Sequence, residues 1–158
     1  MNTNTSNNGK TSVGSNAVQI LAEAHANARE FFATADINNA APVATGYAGR
    51  APQVIMVLPP VHSQDADPQI VSLARDLVRA HDCDTVAIFY PVQIEPITPN
   101  APVEHGVLIE VQSKGAASLK RLLQLKGHKN GRNEFSVALP VIGKSFGVYY
   151  PDLLREVA

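Results

Sequence analysis

The chain has 158 residues and a formal net charge of −1, with 45% hydrophobic and 17% charged residues. That mix is enough for one packed domain and excludes wholesale disorder. No apolar run approaches the roughly 18 residues that a membrane helix needs, and a single cysteine excludes an internal disulfide framework.

Residues 1–16 (MNTNTSNNGKTSVGSN) form a polar stretch with no apolar segment of the secretory kind. It reads as a disordered tail, and the absence of targeting features sets the expectation of a cytoplasmic protein of a bacterium or a phage. Residues 17–36 read as an N-terminal helix or arm. Asn16 is placed as its N-cap and Gln19 completes a capping box. Ala17, Ile20, Leu21, Ala24, Ala28, Phe31 and Phe32 recur on one face. Residues 37–52, rich in Ala, Asn, Gly and Pro, read as a linker or loop.

The domain proper is expected over 53–158. Val54–Leu58 (VIMVL) suits a buried strand. Asp67 and Pro68 cap a helix whose buried stripe is expected to be Ile70, Leu73, Ala74, Leu77 and Val78. Thr85–Tyr90 (TVAIFY) is a second buried strand, which predicts a parallel β-α-β crossover. Pro91, Pro96, Pro99 and Pro102 mark an extended loop. Gly106–Lys114 alternates, with Val107, Ile109 and Val111 on one face and Leu108, Glu110, Gln112 and Lys114 on the other. A helix is expected near 116–126, with Leu119, Leu122 and Leu123 inward. Strands follow at Phe135–Leu139 and Gly147–Tyr150, and Asp152 opens a short last helix. The fold class is α/β or α+β: a single small domain with a mixed sheet and a β-α-β-β-α-β-β core. A ferredoxin-like plait is one arrangement that fits.

Charge is unevenly spread. Residues 1–113 carry −6 and the remainder +5, and the stretch 114–132 holds six basic residues and no acid. Lys120, Arg121, Lys126, Lys129 and Arg132 are therefore candidate contacts to a nucleic-acid backbone. The alternative is a solvated face that balances the acidic half. No helix-turn-helix or zinc-finger spacing is present.

A second pattern is Asp84 with Glu110, Gln112 and Lys114. Carboxylates can hold a divalent cation, and a nearby lysine can orient an attacking hydroxide. Over residues 82–114 this looks like a degenerate PD-(D/E)xK nuclease motif. Gln112-Ser113-Lys114 resembles the Gln-x-Lys ending of Mrr-like restriction enzymes. The resemblance implies cleavage supported by Mg²⁺ or Mn²⁺. Without it, the same residues are the polar face of an amphipathic strand, and no cofactor is implied. A third group, His62, Asp65 and Glu95, lies where the first two strands would end and could serve a small ligand. His81 and Cys83 read as helix and core residues. The leading expectation is a small accessory protein that binds a protein or nucleic-acid partner, with a homo-oligomer open and no membrane contact. A metal-dependent nuclease is the alternative.

Overall fold

Two apolar stripes of the sequence cover opposite faces of one sheet. The computed structural model describes residues 4–37, 39–60, 67–96, 98–141 and 152–154, with side chains from Asn16 onward. The elements are α1 (Asn4–Phe31), β1 (Val43–Ala48), β2 (Ala51–Val57), α2 (Pro68–Ala80), β3 (Thr85–Ile94), β4 (Glu104–Ser113), β5 (Leu119–Lys129) and β6 (Arg132–Phe135). They form a mixed α+β domain around a curled six-stranded sheet of order β2-β1-β3-β4-β5-β6, antiparallel at every neighbouring pair.

Helix α1 reaches back to Asn4, so Asn16 lies inside it rather than at its cap. Its buried residues Ala17, Ile20, Leu21, Ala24 and Ala28 follow the expected stripe. With Phe32 they pack on Val43, Ala87, Phe89, Val107, Ile109, Val111 and Leu123. The arm thus docks on its own sheet. Phe31 departs from the stripe and stays 47% exposed, leaning on Phe32 and Phe89 at ring distances of 5.0 and 5.8 Å.

Helix α2 covers the other face. Asp67 caps it, accepting from the Gln69 N–H at 2.9 Å, with Pro68 next, as expected. The buried stripe is Val71, Ala74 and Val78, while Leu73 and Leu77 are exposed. Ile70, Ala74 and Val78 of the expected stripe thus pack on this face together with Val71, while Leu73 and Leu77 do not.

Four further elements correct the expectations. The segment placed as a linker, 37–52, contains β1, and β1 lies inside the sheet. Strands β2 and β3 both run antiparallel to β1, so they are parallel to one another, as expected of a crossover, but β1 separates them. The expected helix near 116–126 is β5. Leu122 is buried on the α2 face and Leu123 on the α1 face, which only a strand between two covered faces achieves. Among the described residues only one helix joins two strands, so the β-α-β-β-α-β order of a ferredoxin-like plait is not seen there. Pro91 sits within β3, a central strand. It pairs with Val107 on β4, beyond the last β1 partner, Phe89. Its missing N–H falls on the side where β1 has ended, and no ladder bond is lost. Finally, β6 ends at Phe135, and Leu139 makes an isolated bridge to Leu122. The expected strand at 147–150 lies outside the described residues, as does most of the last helix.

Bulges at Gly46/Tyr47 and Leu125/Gly127 curl the sheet. The β5–β6 hairpin turns on Asn130 (φ 55°) and Gly131 (φ 75°), a left-handed pair typical of two-residue hairpins. That hairpin closes over the end of α1, where the Asn133 carboxamide donates to the carbonyls of Phe32 (2.7 Å) and Ala35 (2.8 Å). No described helix is long and apolar enough to cross a membrane.

Candidate functional site

The alternation expected of Gly106–Lys114 holds, but of its polar face only Lys114 is exposed. Glu110 and Gln112 are buried among the apolar residues of the α2 face. Glu110 lies between Ile88 on β3 and Lys120 on β5, and its carboxylate faces the Lys120 ammonium at 3.8 Å. The Gln112 carboxamide donates to Glu110 at 3.4 Å and accepts the Leu153 N–H at 2.8 Å. Arg75 donates to the Asp152 carbonyl at 3.0 Å, and Leu153 is 1% exposed. The polar row thus anchors the segment 152–154, whose backbone needs an acceptor once Leu153 enters the core.

Asp84 sits at the other end of the row. Its carbonyl accepts the Lys114 N–H at 3.1 Å, which brings these two residues together across β3 and β4. Its carboxylate accepts from the Gly49 N–H (3.1 Å) and the Thr85 hydroxyl (2.9 Å), fastening the β1–β2 turn to β3. Glu110 pairs with Ile88, four residues along β3 from Asp84. At about 3.3 Å per residue, that separation along the strand is about 13 Å, whereas two oxygens bound to one ion, each ~2.0–2.6 Å from it, lie no more than ~5 Å apart. The structure brings Asp84 to Lys114 and Glu110 to Gln112, and does not bring the two carboxylates to one ion. Among the described residues no three His, Cys, Asp or Glu side chains converge.

Arg75, Arg79, Lys114, Val78, Cys83 and Leu153 line a small cavity of about 30 Å³, room for one or two waters. Burial raises the Cys83 thiol above its ordinary value, with Asp84 and Asp82 adding to the rise and Lys114 opposing it. This rise disfavours the thiolate, the reactive form of the group.

The basic candidates do not share one surface. Lys120 lies on the α2 face of β5 and pairs with Glu110, while Arg121, one residue on, points to the α1 face. Arg132 reaches Glu30 on α1 at 3.4 Å. Lys126 falls at the bulge, and Lys129 lies at the hairpin turn; both are exposed.

A different surface emerges at the sheet edges, one that sequence reasoning missed. Edge β6 has four residues and exposes the charges of Arg132 and Glu134. Edge β2 has seven residues (APQVIMV), none charged. Val54, Met56 and Leu58 face α2, whereas Ile55 and Val57 are 68% and 66% exposed. The Leu58 N–H donates to Pro42 at 2.8 Å, so by ladder alternation Val54, Met56 and Leu58 turn their amides to β1. Ile55 and Val57 turn theirs outward. The signal in the sequence was a charge-free apolar run bounded by prolines.

His62 and Asp65 lie outside the described residues, and Glu95 is exposed at the end of β3. Comparison of the chain with family models, curated proteins and solved structures finds no match.

Proposed function

We propose that this chain works by binding another polypeptide, which adds a strand at β2. One observation carries the reading: β2 is a seven-residue edge without a charge, with exposed apolar side chains at Ile55 and Val57, whose backbone groups turn away from β1 and meet no partner among the described residues. Natural edges are blunted by charge, shortness or cover, as β6 is, and an open one is a template for strand addition. Main-chain hydrogen bonds then supply affinity and the Ile55 and Val57 side chains supply selectivity. The carboxylates proposed for nuclease chemistry are engaged within the fold, and the basic residues are dispersed. Both features favour the edge over a nucleic-acid surface.

The test is a photo-reactive residue placed at position 55 in the cells that make the protein, with position 73, exposed on α2, as the control. The expected result is a discrete adduct from position 55 and none from position 73. Equal labelling at both positions would refute the reading. So would Mg²⁺- or Mn²⁺-dependent DNA cleavage that disappears in Lys114→Ala.

A further inference from the structure

We propose that the mouth of the cavity between α2 and the end of β4 is a binding site for a phosphate group, held by Arg75, Arg79 and Lys114. The inference is independent of the β2 edge. It uses other residues, and either can fail alone.

Two elements bring the three cations together. Arg75 and Arg79 are four residues apart on α2 and share one side of it. Lys114 follows the last residue of β4, and its N–H donates to the Asp84 carbonyl at 3.1 Å, which fixes its place beside the start of β3. All three line the same cavity, over a floor formed by Val78, Cys83 and Leu153, each buried. An apolar floor strengthens the field of charges set around it.

The cations are not consumed by the fold. No carboxylate lines the cavity. Among the described residues the Lys114 ammonium has neither an ion pair nor a hydrogen bond. Arg75 uses only its Nε, which donates to the Asp152 carbonyl at 3.0 Å, so its terminal N–H groups stay available. Arg79 meets Asp76 at 3.7 Å, but the two side chains are 60% and 63% exposed, and such a pair is weak. The Asp84 carboxylate is turned to the Gly49 N–H and the Thr85 hydroxyl, and Asp82 is exposed beyond the helix end.

The number and placing of the cations select the ligand. A carboxylate presents two oxygens in one plane, and a single guanidinium meets both. Three cations from two elements suit an anion with close to two charges and oxygens pointing in several directions, which describes a phosphate. The cavity, about 30 Å³, admits one or two of those oxygens. The group therefore sits at the mouth, with its other oxygens toward solvent and the exposed Arg79.

The test titrates the full chain with inorganic phosphate from about 0.1 mM to about 50 mM, at an ionic strength held constant with chloride, and follows amide chemical shifts. Saturable shifts are expected at Cys83, Lys114 and Leu154. Lys114→Gln and Arg79→Gln, both at exposed positions, are expected to keep the fold by circular dichroism and to weaken binding about fivefold or more each. Arg75 is left in place because it also holds the segment 152–154. Lys126→Gln, exposed on β5, is expected to bind phosphate as the wild type does. Acetate is expected to bind at least about fivefold more weakly than phosphate. Glycerol 3-phosphate, titrated alongside, separates the two sources: tighter binding than inorganic phosphate assigns the site to a phosphate ester, and weaker binding assigns it to the free anion. No saturable shift at these residues, equal weakening in Lys126→Gln, or acetate bound as tightly as phosphate would each overturn the inference.

Discussion

Replacing Gln112 by Leu tests whether the polar row exists to hold the C-terminal segment. The side chains are close in volume, so packing on the α2 face changes little. What changes is hydrogen bonding. Leu153, 1% exposed, loses the acceptor that its N–H reaches at 2.8 Å. A buried donor left unmet costs about 1–3 kcal/mol. Glu110 also loses the Gln112 carboxamide, but at 3.4 Å that contact is weak, and Lys120 still faces it. The expected loss is therefore about 1–3 kcal/mol. Leu153→Ala removes a fully buried side chain and is expected to cost about 2–5 kcal/mol. The double variant should lose less than the sum by at least ~0.5 kcal/mol, because once Leu153 loosens, its amide reaches water. Urea unfolding followed by far-UV circular dichroism measures all three, and amide exchange at Leu153 reports the pin itself. Additive losses together with unchanged exchange at Leu153 would refute the reasoning.

Other outcomes follow from the packing and the titrating groups. A Cβ at Gly106 would lie 2.6 Å from the Leu123 carbonyl and 3.0 Å from Leu122; Gly106→Ala is expected to destabilise by at least ~1–3 kcal/mol in the same urea assay. His25 is held below its ordinary value of 6.5 by burial first and by Arg29 second, and its Nε2 accepts from the Arg29 Nε at 3.4 Å. The unfolded chain therefore takes up the proton first. Stability is expected to fall as pH drops through 6.5 toward the lower folded value, and His25→Gln should flatten that slope. The Cys83 thiol, raised by burial, is expected to react slowly with a disulfide reagent at neutral pH, and quickly once urea unfolds the chain.

The parts of the fold legible in the sequence were those with one dominant local signal. The capped α2, the apolar stripe of α1 and the alternation of β4 all carry it. Strand β1 was missed because VATGYA is short and mixed, and its place comes from pairing with β2 and β3. Strand β5 was read as a helix because Leu119, Leu122 and Leu123 fit a helical spacing. They equally fit a strand with both faces covered, and the Asn130-Gly131 pair that marks the hairpin lies inside the basic stretch 114–132. The residues of the polar row were visible one by one. Their burial was not, since it depends on Lys120 and Leu153, which lie far off in sequence. The open edge at β2 became visible only when β1 was placed beside it.

Amide exchange at Ile55 and Val57, followed by NMR, tests the open edge most directly. In dilute protein both amides should exchange as freely as solvent-facing groups, while those of Val54 and Met56, turned to β1, stay protected. Protection of Ile55 and Val57 as complete as that of Val54 and Met56 would show that β2 is not an open edge at all.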